Sequence, residues 1–334
     1  SSSLIVFSVA GGFYAFDQSL TLTNSNAQDI IRYTLDGSEP TITSASYTAP
    51  IILSDRSSEP NSLSNVNSSP FSGSNPPIIY KGTVVRAVRF KNNSLIGNVE
   101  SHTYFVSTDA LTRHSDFDVL ALTTDSLSLF DHDTGIYIPG ANYTGETWTG
   151  NYYEKGSEWE RTGNLEYFNT TGELQWNQSI GFRIHGGATR RGKQKSLRFY
   201  ARNEYDAKYF GAALIPGRNQ IEFKRFILRT SFAGRNKTLF KDLLTARLSD
   251  SLSFGVMLGK PVLLFINGEY WGIHDLREST DRHYLEYQFE VDPDHVDLLT
   301  GNAELNPLFN GEVVEGSNQG WHEVQEYIVE HTLS

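Results

Sequence analysis

The chain has 334 residues, enough for a sizeable core and by default two domains, and it has no cysteine, which excludes disulfides, thiolate metal sites and a thiol nucleophile. Its formal net charge of -11 argues against a nucleic-acid platform. No apolar run approaches the ~20 residues of a membrane helix, and the opening SSSLIVFSVAGGF lacks the charged start of a signal peptide.

Residues 1–106 read as a small all-β domain. Leu20 and Leu22 alternate with polar neighbours, residues 30–35 form a strand, and Asp36-Gly37-Ser38 follows as a turn. Asp36 and Glu39 could serve as paired carboxylates, but Asp-Gly is turn chemistry, and a turn cap is the expectation for Asp36. Residues 50–53 and 83–90 are further strands, and the Ser, Asn and Pro of 57–77 predict a long loop or insertion. Residues 107–118 read as a polar linker. The composition, rich in Tyr, Phe, Ser, Thr, Asn and Gly, points to an extracellular or cell-surface setting.

Residues 119–334 form the second domain. Residues 119–123 are an apolar strand. Asp131, His132 and Asp133 could meet a cation, but a turn before a strand at 135–138 is the expectation. Residues 151–161 begin a strand that continues through 165–168, with Trp159 and Trp176 as core or interface aromatics.

Residues 181–202, GFRIHGGATRRGKQKSLRFYAR, carry Arg183, Arg190, Arg191, Lys193, Lys195, Arg198 and Arg202 and no acid. A basic block in an acidic chain points to a local anionic ligand. Two alternating strands flank Gly186 and Gly187, and glycines let backbone N–H groups approach an anion while lysine supplies a point charge. Lys195 is singled out by register. If the strand already includes Lys193, then Lys193, Lys195 and the core residue Leu197 share a face, and a lysine so placed needs an anionic partner.

Further along, 226–230 is a strand and 239–252 has helical spacing. Asn267-Gly268 joins strands at 261–266 and 270–276 in a hairpin. Ser279 or Thr280 can cap a helix over about 281–290, residues 296–299 form a short strand, and Ser317 caps a last helix bearing Trp321, Val324, Tyr327 and Ile328. A zinc site from His274, Asp275, Asp281 and His283 is disfavoured because neighbours on a strand face opposite ways. There is no Gly-x-Ser-x-Gly elbow and no Walker loop. Six Asn-x-Ser/Thr sequences occur, at Asn67, Asn92, Asn142, Asn169, Asn177 and Asn236.

RIHGGATRRGKQKSLRFYAR resembles the phosphate-side motif of the CotH family, spore-coat-type bacterial atypical protein kinases. VLLFINGEYWGIHDLRESTDRHYLEYQF, residues 262–289, resembles that family's strand, Asn-Gly turn, strand and helix, and the similarity runs from about residue 118. YTLDGSEPT, residues 33–41, resembles the chitobiase/β-hexosaminidase C-terminal-type module, an immunoglobulin- or fibronectin-like sandwich. Together they imply a multi-domain protein, a sandwich followed by an α+β kinase-like domain.

The resemblance implies ATP and Mg2+ or another divalent metal, with transfer of the γ-phosphate to Ser/Thr hydroxyls of a surface or coat protein. Lys195 is then the phosphate lysine and Asp281 a catalytic acid, weighed against a helix cap. Arg183, Gly186, Gly187, Arg190 (of the pair Thr189-Arg190), Lys193, Lys195 and Glu278, on the adenine side, are the nucleotide-binding residues. The chain departs from the family in having His185-Gly186-Gly187 where many members have Arg-Gly-Asn, which removes one phosphate or metal contact. It also lacks the family's downstream Asp-x-Asp-Phe-Gly-like run, so the expectation is a C-terminally incomplete, inactive fragment whose metal ligands lie beyond residue 334. The alternative is a non-catalytic pseudokinase or adhesin-like surface protein, with glycan or cell-wall contact through the N-terminal module.

Overall fold

A computed structural model describes residues 5–26, 28–71, 75–211, 213–220, 222–230, 238–252, 254–301 and 312–331; Asn236 lies outside the described residues. The chain forms two compact units. One runs to Arg247 and includes Leu258–Arg277; the other joins Leu248–Met257 to the chain from Glu278 onward.

The first unit begins with a β domain. Its main sheet has five strands, β1 (Gly12–Tyr14), β2 (Ile30–Thr34), β3 (Ala45–Ser46), β4 (Thr83–Lys91) and β5 (Ser94–Val106), in the order β1-β5-β4-β2-β3. Two further strand pairs, Val6–Phe7 with Leu22–Thr23 and Gln18–Leu20 with Ile51–Leu53, complete it. Leu20, Leu22, Ile51 and Leu53 pack with Ile31, Val85, Ala87 and Tyr104 in one core. The alternation read in the sequence therefore does direct apolar side chains to one side. Asp36 is a turn residue: its carboxylate accepts from the Ser38 N–H (3.0 Å) and hydroxyl (2.6 Å).

From Asp118 the chain builds a closed seven-stranded barrel. Its strands are β6 (Asp118–Thr123), β7 (Arg161–Phe168), β8 (Leu174–His185), β9 (Ser196–Tyr200), β10 (Arg225–Arg229), β11 (Gly259–Ile266) and β12 (Glu269–Arg277). The order is β6-β7-β8-β9-β10-β12-β11, and β11 returns to β6 as the one parallel pair that closes the ring. Short helices α1 (Ser126–Phe130) and α2 (Lys241–Ser249) accompany it. The β11–β12 hairpin turns on Asn267 (φ 47°) and Gly268 (φ 81°), the left-handed pair that an Asn-Gly hairpin requires. Gly268 is also fixed by contact, because a Cβ there would overlap the Gly82 carbonyl oxygen.

The β domain and the barrel share one aromatic core. Phe105 of β5 lies 4.6 Å from Phe265 of β11 and 4.7 Å from Phe13, centroid to centroid. Tyr80, Val119, Phe168 and Leu263 complete the cluster. Of residues 107–118, expected as a linker, 107–117 form tight turns that bury Ala110 and His114, and Asp118 already belongs to β6. The Asn267 side chain bonds both the N–H and the C=O of Thr124 at 2.9 and 2.8 Å.

Two local expectations are corrected. Residues 135–138 are turns, not a strand. Ile136 and Tyr137 give their N–H groups to the α1 carbonyls of Ser128 and Leu129, which leaves no ladder to a partner strand. Residues 151–160 form two 3-10 turns, Asn151–Tyr153 and Ser157–Trp159, before β7 begins.

The second unit holds α3 (Arg282–Phe289), the pair Leu298–Thr300 with Glu312–Glu315, and α4 (Gln319–Glu330). Arg282 of α3 reaches Glu315 at 3.3 Å, and the Tyr284 hydroxyl donates to the Val256 carbonyl at 2.9 Å. The residue before α4 is Asn318, whose side chain makes no cap bond; the Ser317 hydroxyl takes the Gln319 N–H at 3.4 Å.

Candidate functional site

β8 ends at His185, and Gly186, at φ 101°, turns the chain into a 3-10 segment, Ala188–Arg191. A left-handed φ of this kind favours glycine. Gly187 is exposed, and a Cβ on it would meet nothing within 4 Å, so the loop opens outward there. The next turn delivers Lys195 immediately before β9.

Lys195 is fully enclosed, at 0% exposure. Its ammonium donates to the Ser68 carbonyl at 2.8 Å and the Gly192 carbonyl at 2.6 Å. It also lies 4.5 Å from the Tyr152 ring centre and 5.1 Å from that of Tyr137. Its backbone N–H donates to the Tyr137 hydroxyl (2.9 Å), which also accepts from Trp271 Nε1 at 2.8 Å. Burial pushes the Lys195 amine well below its ordinary value. No carboxylate pairs with it among the described residues. The anionic partner expected from the sequence is replaced here by two carbonyl dipoles and two ring faces, which solvate the head without a counter-charge. Lys193, expected on the same face, is exposed instead, because the chain is still turning at 192–194 and extends only from Ser196.

The other expected residues divide. Arg190 is buried, and its guanidinium closes the loop on itself through Gly186 O at 2.5 Å, Tyr152 O at 3.0 Å and Glu154 O at 3.1 Å. Arg191 stacks over the Trp148 ring at 4.1 Å and donates to the Thr147 hydroxyl. Arg183 instead pairs with Glu160, which also takes Arg202 and the Tyr205 hydroxyl. Gly186, Gly187, Arg190, Lys193 and Lys195 therefore form one loop, and Arg183 belongs to a separate ion cluster.

Glu278 and Asp281 belong to the second unit. Asp281 is the N-cap of α3, accepting from the N–H groups of His283 (2.9 Å) and Tyr284 (3.1 Å), the helix-cap role weighed for it in the sequence, rather than Ser279 or Thr280. Glu278 is buried and accepts from Gln288 Nε2 at 3.5 Å.

Two features escaped the sequence. Glu269, directly after the hairpin turn, accepts from the backbone N–H groups of Ser62 (2.6 Å), Leu63 (3.2 Å) and Ser64 (2.8 Å) and from the Ser62 hydroxyl (2.9 Å). Burial raises its carboxyl, but these donors more than offset that and hold it below the usual carboxylate range. His274 of β12 is buried and pushed down to about 4 by desolvation. A cavity of about 310 Å³ lies beside the loop, lined by Val66, Ile79, Tyr270 and Trp271 with Lys193 and Gln194. No three Asp, Glu or His side chains converge as metal ligands among the described residues.

Residues 182–330 match the family model described as CotH kinase protein. Residues 9–96 match the Chitobiase/beta-hexosaminidase C-terminal domain. The first match contains the basic loop, the β11–β12 hairpin and α3, and it lies C-terminal to the second. None of the curated proteins matches the chain.

Proposed function

We propose that this chain is a CotH-type kinase-like protein in which the loop from Gly186 to Lys195 takes the phosphates of ATP, for transfer to Ser/Thr hydroxyls of a surface or coat protein. The observation that carries the reading is Lys195. It is a buried cation at the end of a glycine-containing basic turn, inside the segment that matches the CotH model, and dipoles alone solvate it. A desolvated cation without a counter-charge gains strongly from an arriving anion, and phosphoryl transfer is largely positioning and charge neutralisation. Phosphate contact would also restore the proton affinity that burial removes from Lys195. Lys193 is exposed at the loop's edge and adds charge for the same anion. No step is assigned to a metal.

Glu278 on the adenine side and Asp281 as a catalytic acid remain parts of this proposal, although the Asp281 carboxylate already caps α3. We place the protein outside the cell, with the chitobiase-type module hinting at carbohydrate contact. No described helix is long and apolar enough to cross a membrane.

One observation favours a second reading, a non-catalytic scaffold: two of the three N–H groups of the Lys195 ammonium already bond carbonyls of the chain. Calorimetric titration of ATP, with and without magnesium, separates the two. The kinase-like reading expects binding that disappears in Lys195→Met, which keeps the volume and removes the charge. Absence of binding, both in the native chain and after the loop is uncovered as described below, would establish the scaffold.

A further inference from the structure

Part of the enclosure of Lys195 comes from the other end of the chain. Ser62–Ser69 belong to the insertion between the β-domain strands at Ile51–Leu53 and β4. They cross the barrel at the basic loop and are pinned at two places. At one end, three consecutive N–H groups and the Ser62 hydroxyl converge on Glu269. At the other, the Ser68 carbonyl takes the Lys195 ammonium at 2.8 Å and the Ser69 hydroxyl donates to the Arg191 carbonyl at 2.7 Å.

Between the pins the segment stands off the barrel. The 310 Å³ cavity lies there, with Ser64, Val66 and Ser68 on one side and Lys193, Tyr270 and Trp271 on the other. None of the residues from Ser62 to Asn67 is fully buried, so little apolar area holds the segment down. Its attachment is polar, and polar attachments exchange readily for water.

We infer that Ser62–Ser69 is an inhibitory strap, held by Glu269 over Lys195, which must lift before a phosphate-bearing ligand can reach that lysine. This rests on the reading of Lys195 as the phosphate lysine. The Ser68 carbonyl takes one of the ammonium's three N–H groups, so the strap and a phosphate oxygen compete for that donor. Closed, the strap solvates Lys195 with a dipole; open, it leaves a cation for an anion.

Acylation of lysines by N-acetoxysuccinimide, read peptide by peptide in the mass spectrometer, tests the strap without any nucleotide. Exposed Lys193 is the internal reference. In the native chain Lys195 should react about a hundredfold slower than Lys193, as a group reached only through a rare open state. Ser62→Asp sets a second negative charge against Glu269 from an exposed position, and Glu269→Ala removes the acceptor. Each should raise the Lys195 rate about tenfold or more, the effect of losing hydrogen bonds to a charged group, and leave Lys193 unchanged. If Glu269→Ala melts early, Ser62→Asp carries the comparison. Equal labelling of the two lysines in the native chain, or no acceleration in either variant, overturns the strap. Millimolar ATP should then protect Lys195 in the opened variants. Fast labelling that ATP does not slow would leave the strap standing and overturn the phosphate reading.

Discussion

Lys195 and His274 show what burial does to a basic side chain in this barrel. Two carbonyls and two ring faces hold the Lys195 head, yet burial still pushes its pKa well down. His274 is less well supported: Nδ1 lies 3.4 Å from the Gly272 carbonyl and from Gln194 Nε2, and backbone hydrogen bonding to Gly272 and Lys195 only partly offsets its burial. Desolvation sets its pKa at about 4, against 6.5 for an ordinary histidine. The unfolded chain therefore takes up a proton as pH falls through 6.5, whereas the folded chain waits until about pH 4. The histidine's contribution is whole above pH 6.5 and is lost between 6.5 and 4. Linkage puts the loss between pH 7 and pH 5 at about 2 kcal/mol. His185, held at about 3 by burial and by Arg198, Arg190 and Arg229, adds in the same direction. Urea denaturation at the two pH values measures the loss. His274→Asn should shrink it by about 2 kcal/mol, and an unchanged difference would show that the imidazole titrates normally in the fold.

Asp281 shows an element end competing with a catalytic assignment. An aspartate that receives two N–H groups of the first turn contributes about 1 kcal/mol to its helix. Asp281→Ala should lower the stability of the unit holding α3 by about that amount, whereas Asp281→Asn keeps an acceptor oxygen and most of the stability. Backbone hydrogen exchange over α3 reads the difference. If Asp281→Asn opens the helix as widely as Asp281→Ala, the charge rather than the cap supports it. The elements themselves were largely legible. The β11–β12 hairpin and β9 were read from alternation and from Asn-Gly, which act between near neighbours. Residues 135–138 misled because their alternation is real, but their N–H groups are claimed by the end of α1. At the site, the burial of Lys195 was foreseen, although from a strand register that in fact begins only at Ser196. Its surroundings were not: Ser68, Tyr137 and Tyr152 arrive from distant segments, and no local pattern marks them.

On the scale of the molecule, the sequence suggested an accessory module tethered by a linker, and the structure shows a β domain whose sheet supplies part of the barrel's packing. Phe105 stands at that junction, with no exposed surface, against Phe13, Phe168 and Phe265. A polar linker composition cannot reveal this, because the joining side chains lie in β1, β5, β7 and β11 and meet only when the chain is folded. The strap depends on the same union, since its pins are useful only if the β domain is fixed on the barrel. Replacing Phe105 by Ala should cost about 3–5 kcal/mol, the ordinary penalty for emptying a buried aromatic site. Because both parts contribute to the cluster, the cost should be shared. Hydrogen exchange should show β2 and β4 losing protection together with β8 and β9, in one cooperative transition. A barrel that keeps its native protection in Phe105→Ala while the β domain loosens would show that the two fold independently, and a strap anchored on an independent domain would then release with it.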